Sequence, residues 1–494
     1  MFDIDIHKLA EQFAFHAGEP MLFNSGLFLF LFTGFYGIYV LLRKTERPRL
    51  VFVTLFSIYF YYKSSGFYFL LLLGSIVIDF FLAQWIGNSK KHWKRLSLLV
   101  FSLMANLGML AYYKYGNLIH EMFSAMAEVT FEPLDIFLPV GISFFTFQSL
   151  SYTIDVYRKK LKPLKNFLDY AFFVSFFPQL VAGPIVRASD FFPQIHQPLF
   201  VSKKMFGRAV FLICSGLFKK AVISDYISLN FVDRIFDAPT LYSGLENLFG
   251  VYGYALQIYC DFSGYSDMAI GIALLLGFRF NENFNSPYQS KNITEFWRRW
   301  HISLSTWLKD YLYISLGGNR KGKIRTYINL MLTMLLGGLW HGASLKFVLW
   351  GGLHGLALAV HKFINEIKIK SVYSPVVKRI GTIGGVLLTF HFVSFCWIFF
   401  RATNMESSLQ IINQITQNFK PEVFFDFLMG YKGVVLLMIT GYILHAIPQK
   451  FELKIQDQVT KAPLFAKAAL VTIVILIVVQ VKSAGIQPFI YFQF

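Results

Sequence analysis

A histidine lies among small residues inside a long apolar stretch of this sequence. His341 falls in the segment LLGGLWHGAS, where Gly337, Gly338 and Gly342 surround it. An ionisable side chain at membrane depth is costly and is by default a candidate functional group. Small neighbours let a ligand or another backbone approach closely. The alternative is a buried histidine that bonds a neighbouring carbonyl group, and the glycines favour the functional interpretation.

A second histidine, His301, lies in the segment EFWRRWHISLSTWLKDYLY, whose spacing predicts one amphipathic helix over 294–316 along or dipping into the cytoplasmic face. Its apolar face would carry Trp297, Trp300, His301, Leu304 and Leu308. Arg298 and Arg299 project elsewhere. They are either cytoplasmic anchors or a site for an anionic group such as a phosphate-bearing thioester carrier.

Two buried histidines suit general-base catalysis on a hydroxyl group. A histidine removes the alcohol proton as the oxygen attacks an acyl thioester. The developing oxyanion needs a hydrogen-bond donor, which Trp340, Asn319 or His301 could supply. Asp310, like Glu295, either pairs with a nearby base or orients a histidine. The sequence has no paired metal carboxylates, Walker loop or GxSxG motif, so we expect no metal.

Further ionisable residues lie in apolar context. Asp261 and Asp267, in YCDFSGYSDMAIG, could bind a cation, relay protons or pair with neighbours, and structural pairing is the favoured interpretation. His354, His391 and His445 also lie in apolar runs. Each is interpreted as a structural histidine with satisfied hydrogen bonds.

The composition places these residues in a membrane. The 494 residues are 55% hydrophobic and only 15% charged, against about a quarter charged in soluble proteins. Apolar runs of helical length recur along the chain, which predicts an all-α polytopic membrane protein. The net charge of +18 falls in short Lys/Arg clusters between the runs, as the positive-inside rule expects, so nucleic-acid binding is not expected.

The pattern predicts roughly eleven membrane segments, with the N-terminus outside. Two of them are interpreted as re-entrant because basic clusters lie at both ends: 166–200, which contains FFPQLVAGPIVR, and 326–361. In the second, arms of about 14–17 residues would span roughly 21–25 Å and put His341 at the turn of a hairpin deep in the membrane. The other predicted spans are 21–42, 50–62, 66–86, 96–113, 137–156, 209–224, 246–277, 380–400, 432–447 and 464–482.

Many of these segments, in this order, resemble the membrane-bound O-acyltransferase (MBOAT) superfamily, and more closely its bacterial alginate O-acetylase branch. The resemblance covers nearly the whole chain. It implies one membrane domain over 1–494, with a motif-bearing core over 138–402, a central tunnel and a short N-terminal extension over 1–20. The segments that carry it are MLFNS, LPVGISFFTFQSLSYTIDVYR, FFPQLVAGPIVR, YCDFSGYSDMAIG, EFWRRWHISLSTWLKDYLYISLGGNR, LLGGLWHGAS, FCWIFFRA and FIYFQF.

The resemblance also implies roles for residues. The family's proposed catalytic histidine falls on His341, and its second motif histidine falls on His301. Candidate substrate-binding or tunnel-lining residues are Trp340, Asn319, Arg298, Arg299 and Asp310.

The implied function is passage of an acetyl group across the bacterial inner membrane for O-acetylation of a surface or exported polysaccharide. The donor would be acetyl-CoA or an acyl carrier, with no bound cofactor. The partners would be membrane lipid and a periplasmic SGNH-type acetyltransferase. Two alternatives stay open: D-alanyl transfer of the teichoic-acid type, and a lipid or glycan transporter that uses the histidines as a proton relay.

Overall fold

A computed structural model describes residues 11–16, 20–181, 183–367, 375–481 and 490. Within these residues the regular elements are helices and no strand occurs, which confirms the all-α class. The predicted N-terminal extension and the FIYFQF terminus lie largely outside the described residues.

Among the described residues, six helical stretches are long and apolar enough to cross a membrane, or seven if one pair bent by 95° counts as a span. The predicted multi-pass character is confirmed, whereas the count of eleven segments is not. The candidates are Gly26–Lys44, Glu46–Asn88, His92–Met126, Leu345–Ile367, Arg379–Arg401 and Leu464–Val481, with the bent pair Pro421–Gly430 and Lys432–Ala446.

The helices fall into two compact units, one of residues 1–205 and 272–280 and one of residues 206–271 and 281–492. Up to residue 195 they are α1 (Gly26–Leu41), α2 (Glu46–Ser65), α3 (Phe69–Asn88), α4 (His92–Met126), α5 (Ile142–Tyr157), α6 (Phe167–Ser175), α7 (Phe177–Leu180) and α8 (Ala188–Ile195). Beyond it they are α9 (Lys203–Leu217, continued by π-helical turns to Val232), α10 (Asp233–Asp237), α11 (Gly244–Leu275), α12 (Ile293–Arg299), α13 (Ile302–Trp307), α14 (Lys323–His341), α15 (Leu345–Ile367), α16 (Pro375–Arg401), α17 (Met405–Gln417), α18 (Phe424–Gly430), α19 (Lys432–Ala446), α20 (Gln449–Lys461) and α21 (Leu464–Val481).

In the first unit, loops that the charge pattern assigns to one side of the membrane lie together. Glu46, at the start of α2, contacts His196 at 2.5 Å, and Arg95 donates to the carbonyl group of Tyr157. At the other end of α2, Tyr68 stacks on Phe137, which follows the acidic stretch, with ring centroids 5.2 Å apart. The basic loops and the acidic loop therefore lie at opposite ends of α2.

Around the short helix α7 the backbone is irregular at 176, 181 and 183–187, as the proline and glycine residues predict. The N–H of Phe177, freed by the break between α6 and α7, donates to Ser57 Oγ at 3.1 Å. The chain then doubles back so closely that a Cβ on Gly183 would lie 2.4 Å from the carbonyl oxygen of Pro178. The helix break is confirmed, and its position beside a cavity stays a prediction.

In the second unit, α14 and α15 form the predicted hairpin. Lys323 and Glu366 pair at 3.6 Å where the two arms meet at their basic end. The arms have 19 and 23 residues, or about 28 and 34 Å. Both arms are longer than the predicted 14–17 residues, because both helices continue past the apolar run into its basic flanks. α15 is long and apolar enough to cross a membrane, which contradicts the prediction for that arm, whereas α14 is not among the candidate spans.

Candidate active site

His341 is the last residue of α14 and lies at the turn of the hairpin, as predicted. Its imidazole ring is buried, with 3% of the residue exposed. Ring centroids of Trp340, Trp350 and Phe400 lie 4.9, 5.0 and 5.1 Å from its own. Because these rings come from α14, α15 and α16, three helices fix the position of the imidazole.

The glycines around His341 let the hairpin arms approach each other. A Cβ on Gly338 would lie 2.2 Å from the carbonyl oxygen of Phe347, and one on Gly342 would lie 2.1 Å from the Phe347 ring. The sequence suggested that these small residues let a ligand or another backbone approach closely. The structure shows the close approach of another backbone at Gly338, and at Gly342 it shows the packing of an aromatic ring.

His301 lies at a break rather than inside one helix. α12 ends at Arg299 and α13 begins at Ile302, with His301 in the left-handed region at φ 43° and ψ 55°. The predicted continuous helix over 294–316, and the single face assigned to it, are therefore wrong. At the break, the N–H of Ile302 donates to the backbone carbonyl group of Asn283 at 2.9 Å instead of to a carbonyl group of its own helix.

The His301 side chain is buried and caps the helix that follows it. Its Nδ1 accepts from the N–H of Leu304 at 3.4 Å. Its ring stands perpendicular to that of Phe262, with centroids 4.5 Å apart. These contacts hold the imidazole at the start of α13.

A series of aromatic contacts connects the two histidine segments. Trp350, which touches His341, stacks on Trp397 with centroids 5.8 Å apart. Trp397 in turn lies 5.1 Å from Trp300, the residue before His301. The structure thus brings both histidine segments to one aromatic cluster.

The other predicted site residues occupy different surroundings. Trp340 is buried against His341, whereas Asn319 lies on an exposed loop and accepts from the Tyr313 hydroxyl group. Asp310 is half-buried on a π-helical turn, and Arg298 is exposed at the end of α12.

Arg299 pairs with Glu295 at 2.7 Å, as the sequence suggested for Glu295. Partial burial raises the pKa of Glu295, but hydrogen bonds from the Lys291 N–H and from Arg299 outweigh it and hold that pKa below its ordinary value. Glu295 is therefore a charged partner for Arg299 at neutral pH.

The two aspartates of α11 are paired with lysines, which confirms the structural interpretation. Lys219 contacts Asp267 at 2.7 Å, and Lys220 contacts Asp261 at 2.5 Å and Asp225 at 2.8 Å. We did not predict the role of the lysines. The sequence feature that could have revealed this role is the position of both lysines inside the predicted span 209–224. Charged side chains within a membrane usually pair with one another.

A cavity of about 250 Å³ lies beside the Lys219–Asp267 pair, and the sequence did not predict it. Glu282, Glu452 and His445 are among its lining residues. Among the described residues, no group of three His, Cys, Asp or Glu side chains could hold a metal ion.

The three remaining histidines differ. His391 bonds the carbonyl group of Leu387 at 2.8 Å, which confirms it as structural. His445 is satisfied at one nitrogen only: its Nε2 accepts from the N–H of Tyr288 at 3.1 Å, whereas its buried Nδ1 has no hydrogen-bond partner among the described residues. For His354 the prediction is wrong, because neither ring nitrogen has a hydrogen-bond partner among the described residues although the residue is fully buried.

Comparison with known proteins adds a family and relatives. Residues 56–401 match the MBOAT, membrane-bound O-acyltransferase family. The peptidoglycan O-acetyltransferase of Helicobacter pylori is 39% identical and is aligned over 79% of each chain. The probable alginate O-acetylase of Pseudomonas aeruginosa is 40% identical over 78% of this chain and 73% of its own. The teichoic acid D-alanyltransferase of Bacillus subtilis is 31% identical over 53% of this chain and 68% of its own.

Proposed function

The chain belongs to the membrane-bound O-acyltransferase family, and we propose that it moves an acetyl group from a cytoplasmic thioester across the membrane for O-acetylation of a cell-surface or exported polysaccharide. The relatives named for peptidoglycan and alginate acetylation support the acetyl group and the polysaccharide acceptor. The D-alanyltransferase is less similar over a shorter stretch, which makes D-alanyl transfer the second candidate.

The observation that carries the proposal is the position of His341, buried between rings from three helices at the turn of the hairpin. In the proposed step His341 takes the proton of an acceptor hydroxyl group as its oxygen attacks the acyl carbonyl carbon. A C–O bond forms, the C–S bond breaks, and the proton passes to the departing thiolate. Alternatively an imidazole nitrogen of His341 first attacks the acyl carbon, so that a C–N bond forms, the C–S bond breaks and the ring proton passes to the departing thiolate. The acceptor hydroxyl oxygen then displaces the imidazole from the acyl carbon, and the hydroxyl proton returns to the ring.

The donor is proposed to approach from the basic end of the hairpin. Thr294, in the first turn of α12, bonds His361 near that end at 2.8 Å, so α12 starts there. Arg298 is exposed on α12 and suits the phosphates of acetyl-CoA. Asp310, Asn319 and Trp340 are kept as candidate substrate contacts. The same scheme places the protein in the bacterial inner membrane as one domain, with a periplasmic SGNH-type acetyltransferase as partner.

The test compares purified wild type with His341→Ala, supplying acetyl-CoA and measuring released thiol and acetylated product. We expect a loss of about 10²–10⁴-fold for His341→Ala. His391→Ala is the matched control, since His391 is exposed and bonds its own helix. Equal activity of wild type and His341→Ala would overturn the assignment of the site. A wild type that uses a D-alanyl carrier but not acetyl-CoA would favour the second candidate.

A further inference from the structure

Three neighbouring side chains carry buried ring nitrogens that lack hydrogen-bond partners among the described residues. They are Trp297 Nε1, Trp350 Nε1 and both nitrogens of His354. Only 1% of Trp350 and none of His354 is exposed. We call these three residues the donor cluster.

The donor cluster is compact. The Trp350 and His354 ring centroids are 4.8 Å apart, and the Trp297 ring lies 5.3 Å from His354 and 5.8 Å from Trp350. The rings of Phe296 and Phe392 lie 6.1 and 5.7 Å from His354 and offer no acceptor oxygen. The protein thus assembles polar N–H groups in an apolar surrounding.

Such an arrangement is unfavourable unless an acceptor is bound. A buried donor without an acceptor loses its hydration and gains nothing in return. A neutral imidazole contributes one donor and one acceptor, so the cluster offers three N–H groups and one ring nitrogen. The matching ligand carries an oxygen that accepts several hydrogen bonds.

The donor cluster lies next to the proposed catalytic histidine. Trp350 contacts both rings, with centroids 5.0 Å from His341 and 4.8 Å from His354. Trp297 is half-buried on α12, the helix that starts at the basic end of the hairpin. The cluster therefore lies between that end and His341.

We propose that the donor cluster binds the carbonyl oxygen of the acyl thioester whose carbon reacts at His341. The inference rests on the proposed acyl transfer. When the acceptor oxygen attacks, the C=O π electrons move onto the carbonyl oxygen, and they return when the C–S bond breaks. N–H groups fixed around that oxygen stabilise the charge it gains in the transition state.

The test removes single donors while keeping the rings. Trp350→Phe and Trp297→Phe should each lower kcat for acetyl transfer from acetyl-CoA by about 10²–10³-fold and change KM much less. His354→Phe should do the same, whereas His354→Gln, which keeps an N–H group, should retain most of the activity. Because Trp297 is half-buried, its variant keeps the test usable if Trp350→Phe does not fold.

The matched control is Trp397→Phe. Trp397 is as buried as Trp350 and stacks on it, but its Nε1 already donates to the Tyr288 hydroxyl group at 3.2 Å. We expect Trp397→Phe to lose less than about tenfold in kcat. Removal of a single donor to the reacting oxygen costs at least about 10²-fold, so the two outcomes are distinguishable. An active wild type with equal losses in Trp350→Phe and Trp397→Phe would overturn the inference alone. A wild type inactive with any acyl thioester would overturn the proposed function, and the inference with it.

Discussion

Gly338 on one arm of the hairpin and Gly351 on the other face each other without room for a side chain between them. A Cβ on Gly338 would lie 3.1 Å from the Cα of Gly351, and one on Gly351 would lie 2.3 Å from the carbonyl oxygen of Met334. Both neighbours are backbone atoms and cannot rotate away. The spacing of the two arms, and with it the position of His341, depends on these two glycines.

Gly338→Ala should therefore separate the arms and destabilise the protein by about 1–3 kcal/mol. Gly384→Ala is the matched control in α16, where a Cβ meets nothing within 4 Å. There the substitution should be neutral or stabilise by up to about 1 kcal/mol. Thermal unfolding in detergent, followed together with acetyl transfer, measures both. A Gly338→Ala protein with unchanged stability and activity would show that the close approach is not needed.

Lys220→Met should destabilise the protein strongly. It leaves the buried Asp261 and the half-buried Asp225 without their counterion, and breaking a buried ion pair by removing one partner costs about 3–5 kcal/mol. Lys461→Met, which breaks an exposed pair with Asp457, should cost only about 0–1 kcal/mol. Thermal unfolding distinguishes the two. Adding Asp225→Asn and Asp261→Asn to Lys220→Met should restore most of the loss, and failure to do so would contradict the pairing argument.

Local features of the sequence were sufficient for part of this architecture. Apolar runs and basic clusters predicted the hairpin and the position of His341 at its turn, because both depend on residues close together in the chain. The same charges correctly grouped the loops around Glu46 and His196.

Features that depend on distant segments were missed. The break at His301 is stabilised by Asn283 from another segment, and no helical pattern contains that information. His354 looked like an ordinary buried histidine because only its surroundings show that it lacks partners. The arms of the hairpin were predicted too short because hydropathy marks where apolar residues end and not where helical hydrogen bonding ends.

His301→Asn should separate the conformational role of His301 from its chemistry. Asparagine tolerates the left-handed backbone and can accept from the Leu304 N–H, so the melting temperature should stay unchanged. Without the imidazole, kcat for acetyl transfer should fall by about 10²-fold. His301→Val, a β-branched residue at φ 43°, should unfold at lower temperature. Full activity of His301→Asn would restrict His301 to a structural role.

His196 should make stability depend on pH. A hydrogen bond with Glu46, opposed by partial burial and reinforced by Asp169, raises the pKa of His196 above its ordinary value near 6.5. The charged bridge is complete below about pH 6.5 and weakens as the pH rises through the raised pKa of the folded state. Wild type should therefore lose about 1–2 °C more than His196→Gln between pH 6 and pH 8.5, a small effect because the side chains of His196 and Glu46 are about half exposed. Parallel curves for the two proteins would contradict the bridge.

Cysteine labelling should establish which end of α2 faces outwards. The basic loop that contains Arg43 is expected in the cytoplasm and the acidic stretch that contains Glu132 outside. Both side chains are exposed, and Glu132 is preferred to Glu128 because Glu128 has φ 55°. An impermeant maleimide should react with Glu132→Cys in intact cells and with Arg43→Cys only after permeabilisation.

The native cysteines are all buried and should give little background, which the unmodified protein measures directly. The reverse labelling pattern would invert the orientation and place the basic end of the hairpin, where the donor is proposed to enter, outside the cell.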